Sequence, residues 1–191
     1  MSNFLVLDLE TKHTFREFSD PKKLGISVVG VYDYTSNRSI AFTEAELPRL
    51  YPLLESTTLL IGYNIISFDL AVLSAYYPGN VTSFPVFDIL DDIKEKLGRR
   101  LGLNDVASAT LGKKKSGHGL QAIELYKEGK LDELRRYCLD DVALTRDLFN
   151  YGIEKGEIFY PSLSGKTSLS VDWKKHLSQK NGKDISLTLP F

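Results

Sequence analysis

Asp8 and Glu10 stand two residues apart at the end of an otherwise apolar run that starts at Phe4. In a strand, side chains two apart share a face, so both acids line up with Phe4 and Val6. Ionised carboxylates at the end of a buried strand are costly unless they are paired or bound to a metal. The plain alternative is a strand that has just ended, leaving both acids in water. Asp69 falls about two positions into a helical pattern that Ser67 can cap. An acid there gains about 0.3–1 kcal/mol from the helix dipole, so by itself it needs no chemical role. Tyr137 and Asp141 are spaced i, i+4 and stack one turn apart on a helical face. Asp140 is at i+3, and spacing alone leaves it open. The stripe Leu134, Cys138, Val142, Thr145 and Phe149 points inward. Asp141 adjoins that stripe, whereas Asp140 falls with Glu133, Arg136 and Asp147 on the polar side. Four carboxylates on three distant segments form an oxygen donor set that hard cations such as Mg²⁺ or Mn²⁺ favour.

Several elements must bring these segments together. Phe4–Leu9 is apolar on both faces and reads as a central strand. Thr11 to Leu24 reads as a loop. Ile26–Tyr34 and Ser39–Phe42 read as strands joined by a turn at Thr35-Ser36-Asn37. Thr43 and Glu46 have the spacing of a capping box for a helix to about Glu55, with Pro48 and Pro52 making it irregular. Thr58–Ile61 is a short buried strand, Ser67–Tyr77 a helix, and Pro85–Ile89 a strand leading into a helix that ends near Leu97. Helical patterns follow at Asn104–Leu111, Gly119–Lys127 and Leu131–Tyr151. Past Gly156 the character shifts to short strands or an extended arm. This order suits a mixed sheet with helices packed on it.

Asp8-Leu9-Glu10-Thr11, then Asn64 with Phe68-Asp69, then Tyr137 with Asp141, resemble in this order the three motifs of the DEDD family of 3′→5′ exonucleases. The tyrosine points to the DEDDy branch, and the resemblance covers roughly residues 3–150. It implies an α/β, ribonuclease-H-like fold, with a mixed central sheet flanked by helices in residues 1–155. Residues 156–191 are then a C-terminal extension packed on that domain. The resemblance also implies that Asp8, Glu10, Asp69 and Asp141 hold two ions, Mg²⁺ or Mn²⁺, about 4 Å apart. Tyr137 would orient the attacking water. Asn64 would position backbone or substrate, and Phe68 would pack beneath the site. Thr11 and Lys12 would lie against the substrate, with Lys12 touching the phosphate beside the scissile one. The implied reaction releases mononucleotides from a single-stranded 3′ end of DNA or RNA. A structure-selective endonuclease on the same fold and a binding module without catalysis are the rival readings. The histidine branch carries His-x-x-x-x-Asp in its third motif, and no such spacing precedes Asp141, so His118 is not assigned as the base.

Other residues add partner and compartment expectations. A formal charge of −1 lends no global support to tight nucleic-acid binding. Locally, Lys94, Lys96, Arg99 and Arg100 precede Lys113, Lys114 and Lys115, and glycines flank the lysine run. That run reads as a loop able to reach phosphates, or else as a solubilising loop. Asp88, Asp91 and Asp92 read as an acid cluster at a helix start, or as a second ring around the site. Cys138 is the single cysteine, so no internal disulfide forms, and no apolar run approaches the ~20 residues of a membrane span. With no basic leader, a cytoplasmic protein is expected. Trp173 and Phe191 pack on the domain or dock a protein partner. Oligomeric state is not legible.

Overall fold

The computed structural model describes residues 3–113, 119–163 and 165–177. Its main sheet has the order β3-β2-β1-β4-β5, with β1 at Phe4–Thr11, β2 at Ile26–Asp33, β3 at Arg38–Thr43, β4 at Leu59–Gly62 and β5 at Val86–Asp88. β1 runs antiparallel to β2 and parallel to β4, and β4 runs parallel to β5. The expected mixed sheet is thus present, and β1 lies at its centre.

The two apolar faces of β1 meet different helices. Leu5, Leu7 and Leu9 pack with Leu47, Leu50 and Leu54 of α1 (Leu47–Ser56) and with Leu70 and Val72 of α2 (Asp69–Leu73). Val6 looks the other way, onto Val142, Leu148 and Phe149 of α6 (Leu131–Lys155). That second face also receives Ile89 and Ile93 of α3 (Ile89–Leu97) and Val106 of α4 (Leu103–Leu111). α5 (Gly119–Lys127) adds Ala122 and Leu125 beside Leu134 and Cys138 of α6. Among the described residues, no helix is long and apolar enough to cross a membrane.

Several local expectations shift. β1 continues to Thr11, so the loop begins later. The Thr43/Glu46 capping arrangement exists: the Glu46 carboxylate accepts the Thr43 N–H and hydroxyl, both at 2.9 Å. It caps a 3₁₀ turn at Glu44–Glu46, and α1 then runs through Pro52 unbroken. Pro48 sits in the first turn, where a missing N–H costs nothing. The helix read at Ser67–Tyr77 is only Asp69–Leu73, and Ser67 does not cap it; Phe68 occupies the N-cap position. The following residues tighten into i−3 bonds, with Ala75 N–H on Val72 and Tyr76 N–H on Leu73, before Pro78 ends the turn.

The segment past Gly156 forms a hairpin, β6 (Glu157–Ser162) and β7 (Gly165–Ser170), whose first strand lies on α4 and α6. Beyond it Trp173 is fully buried. Its ring stacks on Phe149 at 5.9 Å and meets Phe87 at 5.6 Å, and its indole N–H donates to Asp92 Oδ2 at 2.9 Å. Gly152 makes room for it, since a Cβ there would lie 2.2 Å from the indole Cε3. Trp173→Ala should therefore destabilise by about 3–5 kcal/mol. Gly152→Ala should also destabilise the parent, yet cost little once Trp173 is alanine. Urea denaturation of both single variants and the double variant tests this, and additive losses would contradict it.

Candidate functional site

The site begins where β1 outruns its parallel neighbour. Pairing with β4 ends at Val6–Ile61, so from Asp8 onward β1 has β2 on one side only. A register shift at Glu10/Thr11 then bends the strand end. Asp8 and Glu10 are half-buried on the face turned to α6. That helix comes close at Gly30, the register partner of Asp8, and the Cys138 thiol donates to Asp8 O at 3.5 Å. Three residues on, Asp141 is buried while Asp140 is exposed. Carboxylate oxygens of Asp8, Glu10 and Asp141 all lie within 4.8 Å of one another.

Asp69 flanks this group and is not one of the three that converge. It is the first residue of α2, and its Oδ1 accepts the Leu9 N–H at 2.9 Å, on the side of β1 that β4 leaves open. Burial, then the neighbouring charges of Asp8 and Glu10, hold its carboxyl well above the ordinary range. Burial and the same acids also push the Cys138 thiol up. Like charges about 5 Å apart repel by roughly 3 kcal/mol at the effective dielectric of a protein site. Hard oxygen donors this close fit one or more divalent cations and fit poorly with nothing between them.

The other expected residues are placed unequally. Tyr137 is buried one turn before Asp141, against Ala122 and Leu125 of α5. Phe68 is half-buried, and its ring lies 5.9 Å from that of exposed Phe15. Asn64 adopts left-handed geometry at φ 66°, which asparagine tolerates, and its side-chain oxygen accepts Arg100 Nη2 at 2.5 Å. Thr11 is buried with its hydroxyl on His13 O at 2.8 Å. The Lys12 ammonium pairs with Glu44, which raises its pKa, and rests 5.4 Å from the centre of the Tyr126 ring. Lys113 is matched by Asp147 at 2.7 Å. Lys114, Lys115 and His118 lie outside the described residues.

Asp88, open in the sequence to a helix-start role or to a second ring around the site, fills both places. Its carboxylate accepts three backbone N–H groups: Asn64 at 2.8 Å, Ile66 at 3.1 Å and Leu90 at 3.0 Å. One buried side chain thus caps α3 and fastens the turn that delivers Asp69. Burial still raises its pKa despite these donors. The only signal in the sequence is an acid at a strand end before a helix.

The family model for the RNase H superfamily matches residues 5–152. No curated protein matches the sequence. Among solved structures, the family B DNA polymerase of the hyperthermophilic archaeon Pyrobaculum calidifontis aligns with TM-score 0.62 and 19% identity, over 80% of this chain and 25% of that one. Trypanosoma brucei RNase D aligns with TM-score 0.58 and 20% identity, over 78% of this chain and 56% of that one. Exonuclease I aligns with TM-score 0.50 and 15% identity, over 81% and 41%. Identities this low speak to the fold alone, and the chain spans little more than half of the RNase D chain and less of the others.

A pH-dependent stability follows from Asp69. Its carboxyl is raised from 3.8, so in the metal-free protein its contribution is full below that value and is lost as pH rises through the folded value. Cations relieve the cluster only where the acids are ionised. Saturating Mn²⁺ should raise the melting temperature more at about pH 8 than at about pH 5, and Asp69→Asn should shrink that difference. Thermal melts in EDTA and in Mn²⁺ at both pH values check this; equal shifts would contradict it.

Proposed function

The chain belongs to the RNase H superfamily, and from that premise we propose that it is a metal-dependent 3′→5′ exonuclease of DNA or RNA. It releases nucleoside monophosphates from single-stranded 3′ ends. The observation that carries this reading is the convergence of Asp8, Glu10 and Asp141 within 4.8 Å, with Asp69 alongside. The names of RNase D and exonuclease I among the solved structures agree with it.

In this reading Asp8, Glu10, Asp69 and Asp141 hold two ions, Mg²⁺ or Mn²⁺. When bound, such ions supply an acidified water and charge stabilisation at the attacking and leaving oxygens of the phosphodiester. The chain's own work is positional. Asp69 ties α2 to the Leu9 backbone and so fixes the distance between the first and second acidic segments. The Tyr137 hydroxyl accepts a hydrogen bond from the attacking water and sets its direction. The Phe15–Phe68 pair beside Asp69 offers aromatic faces to unpaired bases, which suits a single strand more than a duplex.

Asp8→Asn and Asp141→Asn should each abolish cleavage of an end-labelled oligonucleotide in Mn²⁺ while the circular dichroism spectrum stays that of the parent. Asp140→Asn should be mild, since that side chain is exposed. Tyr137→Phe should lower kcat by roughly 100-fold with little change in KM. A ladder of shortening products with free mononucleotide supports the reading. Internal cuts alone would favour an endonuclease, and activity that survives excess EDTA would remove the metal from the reaction.

A further inference from the structure

Three cations lie where the end of α3 meets the C-terminal hairpin, and the hairpin itself is beyond the span that the superfamily model matches. Arg99 and Arg100 follow the left-handed Gly98 that ends α3. Arg100 reaches Asn64 in the turn before Asp69, at the edge of the acidic site. Arg99 points the other way, its guanidinium 5.7 Å from the centre of the Tyr160 ring on β6. On the outer side of the same hairpin, Lys166 Nζ lies 4.1 Å from the centre of the Phe159 ring. A cleft of about 600 Å³ separates Arg99 from Pro161, Ser162 and the fully exposed Leu163.

Pairing sets these cations apart from several others. Lys12, Lys113 and Arg146 are each matched by an acid. Among the described residues, Arg99, Arg100 and Lys166 form no ion pair. Aromatic rings hold Arg99 and Lys166 without neutralising them, so their positive charge is pre-positioned and open to an anion. The one acid in the neighbouring groove is Asp105, on the α4 side. Arg99 and Lys166 line adjoining clefts that share Pro161 and Ser162, and Arg100 is bound to the turn before Asp69; cations placed in this succession suit the repeating phosphates of a single strand.

We propose that the Arg99–Arg100 turn and the β6–β7 hairpin form a binding track for the phosphate backbone of a single-stranded nucleic acid, leading into the acidic site. This rests on the nucleic-acid reading above, but not on catalysis. The test compares Arg99→Glu/Lys166→Glu with Arg38→Glu/Arg49→Glu, which makes the same charge change on the far strand and the opposite face. Fluorescence anisotropy with a long labelled oligonucleotide in EDTA gives affinity as a function of salt, and hydrolysis of a dinucleotide in Mn²⁺ gives the chemistry.

The hairpin variant should bind the long strand more weakly. Its slope of log K against log salt should fall by about 1.4, for two lost phosphate contacts at ~0.7 each. The control should match the parent, and dinucleotide hydrolysis should be unchanged in all three. Arg99→Gln/Lys166→Gln repeats the measurement should the glutamate pair fail to fold. Superimposable slopes, an equal loss in the control, or a parent that binds no strand at any salt would each overturn the track. Should no protein hydrolyse the dinucleotide while the binding difference persists, the exonuclease reading falls and the track stands.

Discussion

α6 lies so near the sheet at Gly30 that a Cβ there would come within 2.9 Å of both Cys138 Sγ and Val142 Cγ2. The rest of the site depends on that separation. Gly30 pairs with Asp8 across β1 and β2, so the point where the helix can approach is also the point where the first acid stands. Cys138 takes the place of closest contact, and Asp141, one turn farther, faces Asp8 and Glu10. Arg135 steadies the start of the helix: Nη1 donates to Ala41 O at 2.6 Å and Nη2 to Glu46 at 2.7 Å. Glu46, bound first by the Thr43 N–H and then by Arg135, has its carboxyl lowered to about 2 and stays charged. A side chain at position 30 would lift the helix and separate the carboxylates.

That arrangement opposes stability. Three carboxylates held within 4.8 Å repel one another, and a fourth is buried beside them. The apolar layers above and below β1 must outweigh this, which is consistent with Leu5, Val6, Leu7 and Leu9 all being almost wholly buried. Each carries about 25 cal/mol per Å² of apolar surface removed from water. Asp69 shows how one group serves both needs. Its bond to Leu9 N–H satisfies backbone that the short β4 leaves unpaired, and the same contact sets its carboxyl beside the other acids.

Much of this was legible because it rests on periodicity. The inward stripe of α6 separated Asp141 from Asp140, and the two-residue spacing of Asp8 and Glu10 put them on one face. Long, strongly patterned elements such as β1 and α6 gave their type and nearly their bounds. α2 was misjudged in length because an apolar pattern at helical spacing also fits a turn that tightens to i−3 bonds. Lys12 and Lys113 looked open to phosphates because a sequence does not show which acid lies opposite; Glu44 is 32 residues from Lys12 and Asp147 is 34 from Lys113. Gly30 was invisible as a site residue for the same reason, and Asp88 could be read as a second ring around the site but not as the fastener of the turn that carries Asn64 and Ile66. Their importance comes from what approaches them across the fold.

The C-terminal segment belongs to that same long-range logic. Trp173 donates to Asp92, which sits one turn after Asp88 on α3. Asp88 in turn holds Asn64 and Ile66, and the turn they form delivers Asp69. Phe87, one residue before Asp88, packs against Trp173 and Phe149 together. A contiguous set of contacts, buried at the aromatic rings and part-buried at the hydrogen bonds, therefore runs from a residue outside the span matched by the superfamily model to the second acidic segment. Its members are packed aromatics and a short helix start, stiff elements with little freedom to slide. The segment past Gly156 thus braces α3 from behind, where the front of α3 must stay fixed if four acids are to hold their spacing.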